Sequence, residues 1–155
     1  MAKKIKRFYR YLASMGPVGF IPFAPGTFGS LLTVIFIYFF PGLSFGFKFG
    51  LALILFFLGW FICSEVEREW KVHDPSWIII DEVGGQLVTF LWVHPYSWMI
   101  LVVGFVLFRF FDILKPWPIN RLEKIAGGLG IMADDYMAGL LGGGVLYCLI
   151  KYVVI

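Results

Sequence analysis

Apolar residues along this chain come in unbroken runs, with short polar stretches between them. From Thr27 to Phe40 the chain is apolar, Pro41-Gly42 interrupts it, and Leu43 to Cys63 continues apolar except for Lys48. A second pair follows: Val83 to Val93, opening on Gly84-Gly85 and ending at His94-Pro95, then Tyr96 to Phe111. Ala133 to Ile155 makes a third long run. Segments apolar on every side predict helices buried in a bundle or facing lipid. A full crossing takes about 20 residues, so the first member of each pair is short for a span. The pattern predicts an all-α, polytopic membrane helical bundle of two short-long helical hairpins plus a final span. The repeated plan suggests an internal duplication, although the two halves share little sequence identity.

The polar stretches complete the topology. Residues 3–15 mix Lys and Arg with Ile, Phe, Tyr and Leu and predict a short interfacial helix, so 1–21 reads as a basic interfacial segment of a single domain, 1–155. Pro22 and Pro25 are expected to exclude a helix, which places the next helix start near Thr27, with Gly26-Thr27 as turn and N-cap. Residues 64–82 are the most charged part; Glu65, Arg68 and Glu69 there read as the solvated end of a helix. Asp112, Lys115, Arg121, Glu123 and Lys124 form a second polar loop, where Pro116 and Pro118 stop the preceding helix. With Lys3, Lys4, Lys6, Arg7 and Arg10 holding the N-terminus in the cytoplasm, both polar loops fall on that side as well. Lys48 is expected near the opposite turn, its long side chain reaching the far interface.

Composition agrees with a membrane class. The chain of 155 residues is 60% hydrophobic, and its mean hydropathy is +0.86. Its net charge of +3 comes from bases spread among apolar segments, with no patch the size of a nucleic-acid groove, so no nucleic-acid partner is expected. The basic start gives way to PVGFIPFAPG, which is unlike the apolar core of a signal peptide. Cys63 and Cys148 are expected as buried free thiols.

Charge is costly beside such runs and is usually kept for function. The acids come in three clusters: Asp81 with Glu82, Asp112 alone, and Asp134 with Asp135. Mg²⁺ prefers carboxylate oxygens, usually one or two from the protein, with water and substrate phosphate filling the rest. Arg109 and Lys115 flank Asp112 at minus three and plus three, which suits a clamp on a phosphate, or an ion pair closing a helix. Asp135 and Gly139 share a helical face, where the glycine admits a close neighbour. Gly127, Gly128 and Gly130 read as a loop before Asp134, leading to helix N–H groups that could face an anion. Other phosphoryl-transfer signatures are missing: there is no D-x-D-x-T/V nucleophile and no P-loop, and Cys63 to Arg68 is one residue short of the C-x5-R loop of cysteine phosphatases. His94 reads as a loop residue. His73 reads as a surface histidine, with a proton-carrier role as the alternative.

Four motifs in order, PFAPGTFGS, IIIDEVGG, FDILKPWPI with the following LE, and GIMADDYMAG, resemble the phosphatidylglycerophosphatase A family across residues 22–139. The resemblance implies a Mg²⁺-dependent enzyme of the bacterial inner membrane with its active site at the cytoplasmic edge. Such an enzyme hydrolyses the phosphomonoester of phosphatidylglycerophosphate to phosphatidylglycerol and phosphate. It implies functional roles for Asp81, Glu82, Asp112, Asp134, Asp135, Lys115 and Thr27. Asp81, Glu82 and Asp135 are the preferred metal ligands, and Asp134 is a ligand or a residue that orients one. Asp112 is the expected proton acceptor or nucleophile, Lys115 and Arg109 contact the phosphate, and Thr27 contacts the phosphate or a glycerol hydroxyl. Attack by metal-activated water is the first choice, and an aspartyl-phosphate on Asp112 is the alternative. A small divalent-cation transporter is the competing class, because broken short helices and membrane acids also mark transporters. Acids gathered at one edge, away from the helix centres, favour chemistry on a lipid headgroup. Oligomeric state is not legible.

Overall fold

A computed structural model describes residues 2–72, 74–94 and 97–153, with side chains from residue 7 onward. His73 and the Pro95 half of the second turn lie outside the described residues, as do the side chains of Lys3, Lys4 and Lys6. Among the described residues the fold is all-α: α1 (Ala2–Ala13), a 3-10 turn at Val18–Phe20, α2 (Pro25–Phe39), α3 (Phe45–Trp70), α4 (Ile80–Thr89), α5 (Trp98–Leu114), α6 (Ile119–Leu122) and α7 (Gly128–Tyr152).

The organising element is α4. Every residue in it except Glu82 is buried, and α2, α3, α5 and α7 pack around it. Ten residues rise about 15 Å, half of a hydrocarbon core of about 30 Å, so α4 is a central plug and crosses nothing. Its neighbours approach closely because glycines line the seam. A Cβ on Gly139 would run into the Gly85 carbonyl and lie 3.0 Å from Val88 Cβ; one on Gly143 would lie 2.8 Å from the Thr89 carbonyl. The expected Gly139 contact is therefore made by backbone against backbone. Gly139→Ala should lower the melting temperature in detergent. Overpacking against a rigid backbone costs about 1–3 kcal/mol, more than the roughly 1 kcal/mol alanine gains in helix propensity. An unchanged melting temperature would remove this account of the seam.

The outer helices bury only a stripe. In α3 the buried positions are Lys48, Ala52, Gly59, Ile62, Cys63 and Val66, while Phe57, Leu58, Trp60 and Phe61 are exposed. An exposed apolar face this large is unfavourable in water and matches a lipid surrounding. Among the described residues one helix, α3, is long and apolar enough to cross a membrane. The short-long-short-long-long order of α2, α3, α4, α5 and α7 is as expected.

Four local expectations are corrected. The second helix starts at Pro25, two residues before Thr27, because proline is well suited to the first helical position; the N-cap is Ala24, in the left-handed region at φ 47°. The last helix starts at Gly128, so Gly128 and Gly130 are helical and Asp134 lies in the second turn; the Gly128 N–H donates to Ser64 Oγ at 3.0 Å. Lys48 does not reach an interface. It is buried, and its Nζ donates to the carbonyls of Phe90 (2.6 Å) and Val93 (2.8 Å), just past the end of α4, where a cation offsets the negative end of the helix dipole. Cys148 is exposed, while Cys63 is buried as expected.

Chain starts follow the expected chemistry elsewhere. Ser44 and Ser97 cap α3 and α5, accepting from the N–H groups of Phe47 and Ile100. The N-terminal helix docks onto the bundle through the Ala13 carbonyl, which accepts from Ile79 N–H at 3.0 Å. Arg10 lies over the Phe20 and Trp77 rings, at 4.7 and 5.2 Å from their centroids.

Candidate active site

The acids meet because three helix ends converge. α4 presents Asp81 and Glu82 in its first turn, α5 presents Arg109 and Asp112 in its last turns, and α7 presents Asp134 and Asp135 in its second turn. Carboxylates at a helix N-terminus are stabilised by the helix dipole, which favours Asp81 and Glu82 where they stand. The Glu82 N–H donates to Asp81 Oδ1 at 3.0 Å.

Oxygens of Asp81, Glu82 and Asp135 all lie within 4.8 Å of one another. Asp81 and Asp135 are 5% and 4% exposed. Buried carboxylates at this separation repel one another unless a cation compensates. Burial pushes the Asp81 carboxyl well up, reinforced by the charge of Glu82, and raises Glu82 to about 7 despite its hydrogen bond with Asp81. Two buried oxygens here, Glu82 Oε2 and Asp135 Oδ2, have no hydrogen-bond partner among the described residues. Hard oxygen donors with unspent lone pairs at this spacing fit a Mg²⁺ ion.

Asp134 faces elsewhere. Its Oδ2 accepts from Lys115 Nζ at 2.8 Å, and its Oδ1 accepts from the Asp135 N–H at 2.9 Å, so both oxygens are engaged. Lys115 also donates to Glu123 at 2.7 Å. Burial alone would lower the pKa of this ammonium, but the two carboxylates outweigh it and raise it. The geometry follows from Lys115 capping the end of α5, in the left-handed region at φ 43° just before Pro116, which turns its side chain from Asp112 towards α7. Sequence reasoning set Lys115 beside Asp112; only the turn reveals Asp134 and Glu123 as its partners.

Arg109 and Asp112 form the i, i+3 pair, 2.6 Å from Nη1 to Oδ2. Nη1 is thus committed to Asp112, while Nε is buried with no hydrogen-bond acceptor among the described residues. The guanidinium therefore keeps donors for an anion. Beside it stands the start of α2: a Cβ built on Gly26 would strike Glu82 Oε1, lie 2.8 Å from Glu82 Cδ and 3.4 Å from Arg109 Nη1. Thr27 is in the same turn, half-buried. The positive end of α2 thus stands beside Glu82 and Arg109. Gly26 is the site residue whose specific role sequence reasoning missed; the signal was a glycine at a helix start beside a run that must pack against acids.

Buried oxygen ligands, unspent arginine donors and a helix N-terminus form a place for a cation and a phosphate together. The same acids, basic residues and glycine turn carry the motifs singled out in the sequence. A family model described as phosphatidylglycerophosphatase A matches residues 11–150. The chain is 35% identical to the phosphatidylglycerophosphatase A of Escherichia coli, over 83% of this chain and 76% of that protein. It is 37% identical to the one from Haemophilus influenzae, over 79% and 76%. It is also 37% identical, over 79% and 80%, to a Bacteroides thetaiotaomicron protein carrying a provisional phosphatidylinositol-3-phosphatase name. No solved structure matches the chain. All four motifs fall within the matched residues, and the helices bring their acids to one end, so this chain belongs to the phosphatidylglycerophosphatase A family.

Proposed function

We propose that this protein is a Mg²⁺-dependent lipid phosphatase that hydrolyses the phosphomonoester of phosphatidylglycerophosphate to phosphatidylglycerol and phosphate. It works as a multi-pass protein of the bacterial inner membrane with its site at the cytoplasmic edge. The observation that carries the reading is the convergence of Asp81, Glu82 and Asp135 beside an arginine with unspent donors. Membership of the family supports the substrate. The competing reading, a divalent-cation transporter, finds no support in these findings.

In the proposed reaction Asp81, Glu82 and Asp135 would hold a Mg²⁺ ion, which when bound would supply Lewis-acid stabilisation of the phosphoryl group and a more acidic water. Arg109, held through Nη1 by Asp112, turns its remaining donors to the phosphoryl oxygens, and the first turn of α2, with Gly26 and Thr27, faces the same anion. Asp112 Oδ2 anchors Arg109. Its carboxylate takes the proton of the attacking water, a new P–O bond forms as the P–O bond to the lipid glycerol breaks, and the proton passes to the leaving glycerol oxygen. Lys115 acts at one remove, holding Asp134 against Glu123 so that the α7 turn carrying Asp135 keeps its place.

Detergent-purified protein given phosphatidylglycerophosphate should release phosphate with Mg²⁺ and stop with EDTA. It should release phosphate more slowly from phosphatidylinositol 3-phosphate at equal concentration. Folded protein that releases none from phosphatidylglycerophosphate with any divalent cation would sink the proposal.

A further inference from the structure

We propose that the cleft between α2 and α3, floored by α4, holds one acyl chain of the lipid whose phosphate enters the acidic site. This rests on the phosphatase reading above and assigns its lipid-recognition element. The cleft has a volume of about 250 Å³ and is lined by Leu32 and Phe36 of α2, Leu51 and Leu55 of α3, and Val83 and Leu87 of α4. Thr33 also lines it, and its hydroxyl is already spent, donating to the Val83 carbonyl at 3.0 Å. A wall without a free polar group gives nothing to a water-soluble ligand and suits a hydrocarbon chain.

The cleft is continuous with the site. Val83 follows Glu82 directly, and the Thr33 bond to Val83 ties α2 to α4 at the level where the cleft begins. Along α2, six residues separate Gly26, against Glu82, from Leu32, a rise of about 9 Å. That length leaves room for a polar headgroup between a phosphate at Arg109 and the chains esterified below it. The same two helices carry exposed apolar residues next in sequence to lining positions or one turn on, Leu31 and Ile35 on α2 and Ile54 and Leu58 on α3. A chain emerging there meets lipid tails without crossing a polar rim. The free energy of holding it scales with the methylenes it buries, so recognition should appear in the discrimination between acylated and deacylated substrate.

The test compares kcat/KM for dioleoyl phosphatidylglycerophosphate in mixed micelles with that for the deacylated, water-soluble headgroup phosphate, in wild type and Leu51→Trp. The indole fills the cleft, so the acylated-to-deacylated ratio should fall about tenfold, mainly through KM on the acylated substrate. Parallel loss on both substrates, or an unchanged ratio, overturns the assignment. If Leu51→Trp does not fold, Leu32→Phe narrows the mouth and is judged by the same ratio. If wild type releases phosphate from neither substrate, the phosphatase reading has failed, and the cleft is judged without turnover. A phosphatidic acid carrying a diazirine in one acyl chain is then photolysed with wild-type protein, and the labelled residues are mapped. Label on Phe36 and Leu55 supports the cleft; label confined to outward residues such as Ile54 and Phe57 overturns it.

Discussion

Asp135→Asn should abolish phosphate release while the helical bundle stays folded. Asp135 offers an oxygen within 4.8 Å of those from Asp81 and Glu82, and its Oδ2 has no hydrogen-bond partner among the described residues. Asparagine keeps the shape and one oxygen but loses the charge, so the trio proposed to hold a divalent cation would become a pair. Changing groups that only support metal ligands typically costs 10–100-fold, and removing a ligand's charge should exceed about 100-fold in kcat/KM. The substitution should also relieve repulsion among buried acids, so the melting temperature without Mg²⁺ should hold or rise while its increase on adding Mg²⁺ shrinks. Those two readouts separate a ligand from a packing residue. Full activity with a normal Mg²⁺ response would remove Asp135 from the metal site.

Gly26→Ala is the second large effect, from a residue with no side chain to offer. A methyl there would strike the Glu82 carboxylate, displacing the acid proposed to face the metal, and would only touch Arg109 Nη1 at 3.4 Å. Misplacing reacting groups by about 1 Å can cost on the order of 100-fold, and a similar drop in kcat/KM is expected here. Stability should change little, since Gly26 has ordinary helical backbone and alanine favours a helix by about 1 kcal/mol. Phosphate release at the wild-type rate would show that the start of α2 takes no part in the site. A large fall in melting temperature would instead make Gly26 a packing residue.

Much of this architecture is visible in residue order. Apolar runs broken at Pro41-Gly42 and before Pro116 report helices and their ends, because a residue that cannot continue a helix acts locally. The acids Asp81, Glu82 and Asp135 stand out for a similar reason: charge beside hydrocarbon is rare unless something compensates it. Local signals misled where a residue has two local meanings. Pro25 reads as a breaker and serves as the first helical residue; Gly128 and Gly130 read as loop and lie inside α7, where missing side chains admit α3 and the Ile125 carbonyl.

Partner choice is of another kind. Whether Lys115 faces Asp112 or Asp134 depends on one left-handed residue at the end of α5, and whether Lys48 reaches water or the Phe90 and Val93 carbonyls depends on where α4 stops. Residue order therefore specifies which segments are helical, where they break, and which carboxylates are costly enough to need a purpose. Which oxygens converge, which arginine donors stay unspent, and that Gly26 abuts Glu82 all come from packing. These are contacts between segments distant along the chain, set by glycine seams that let α4 and α7 close to backbone distance, and no local pattern encodes that separation.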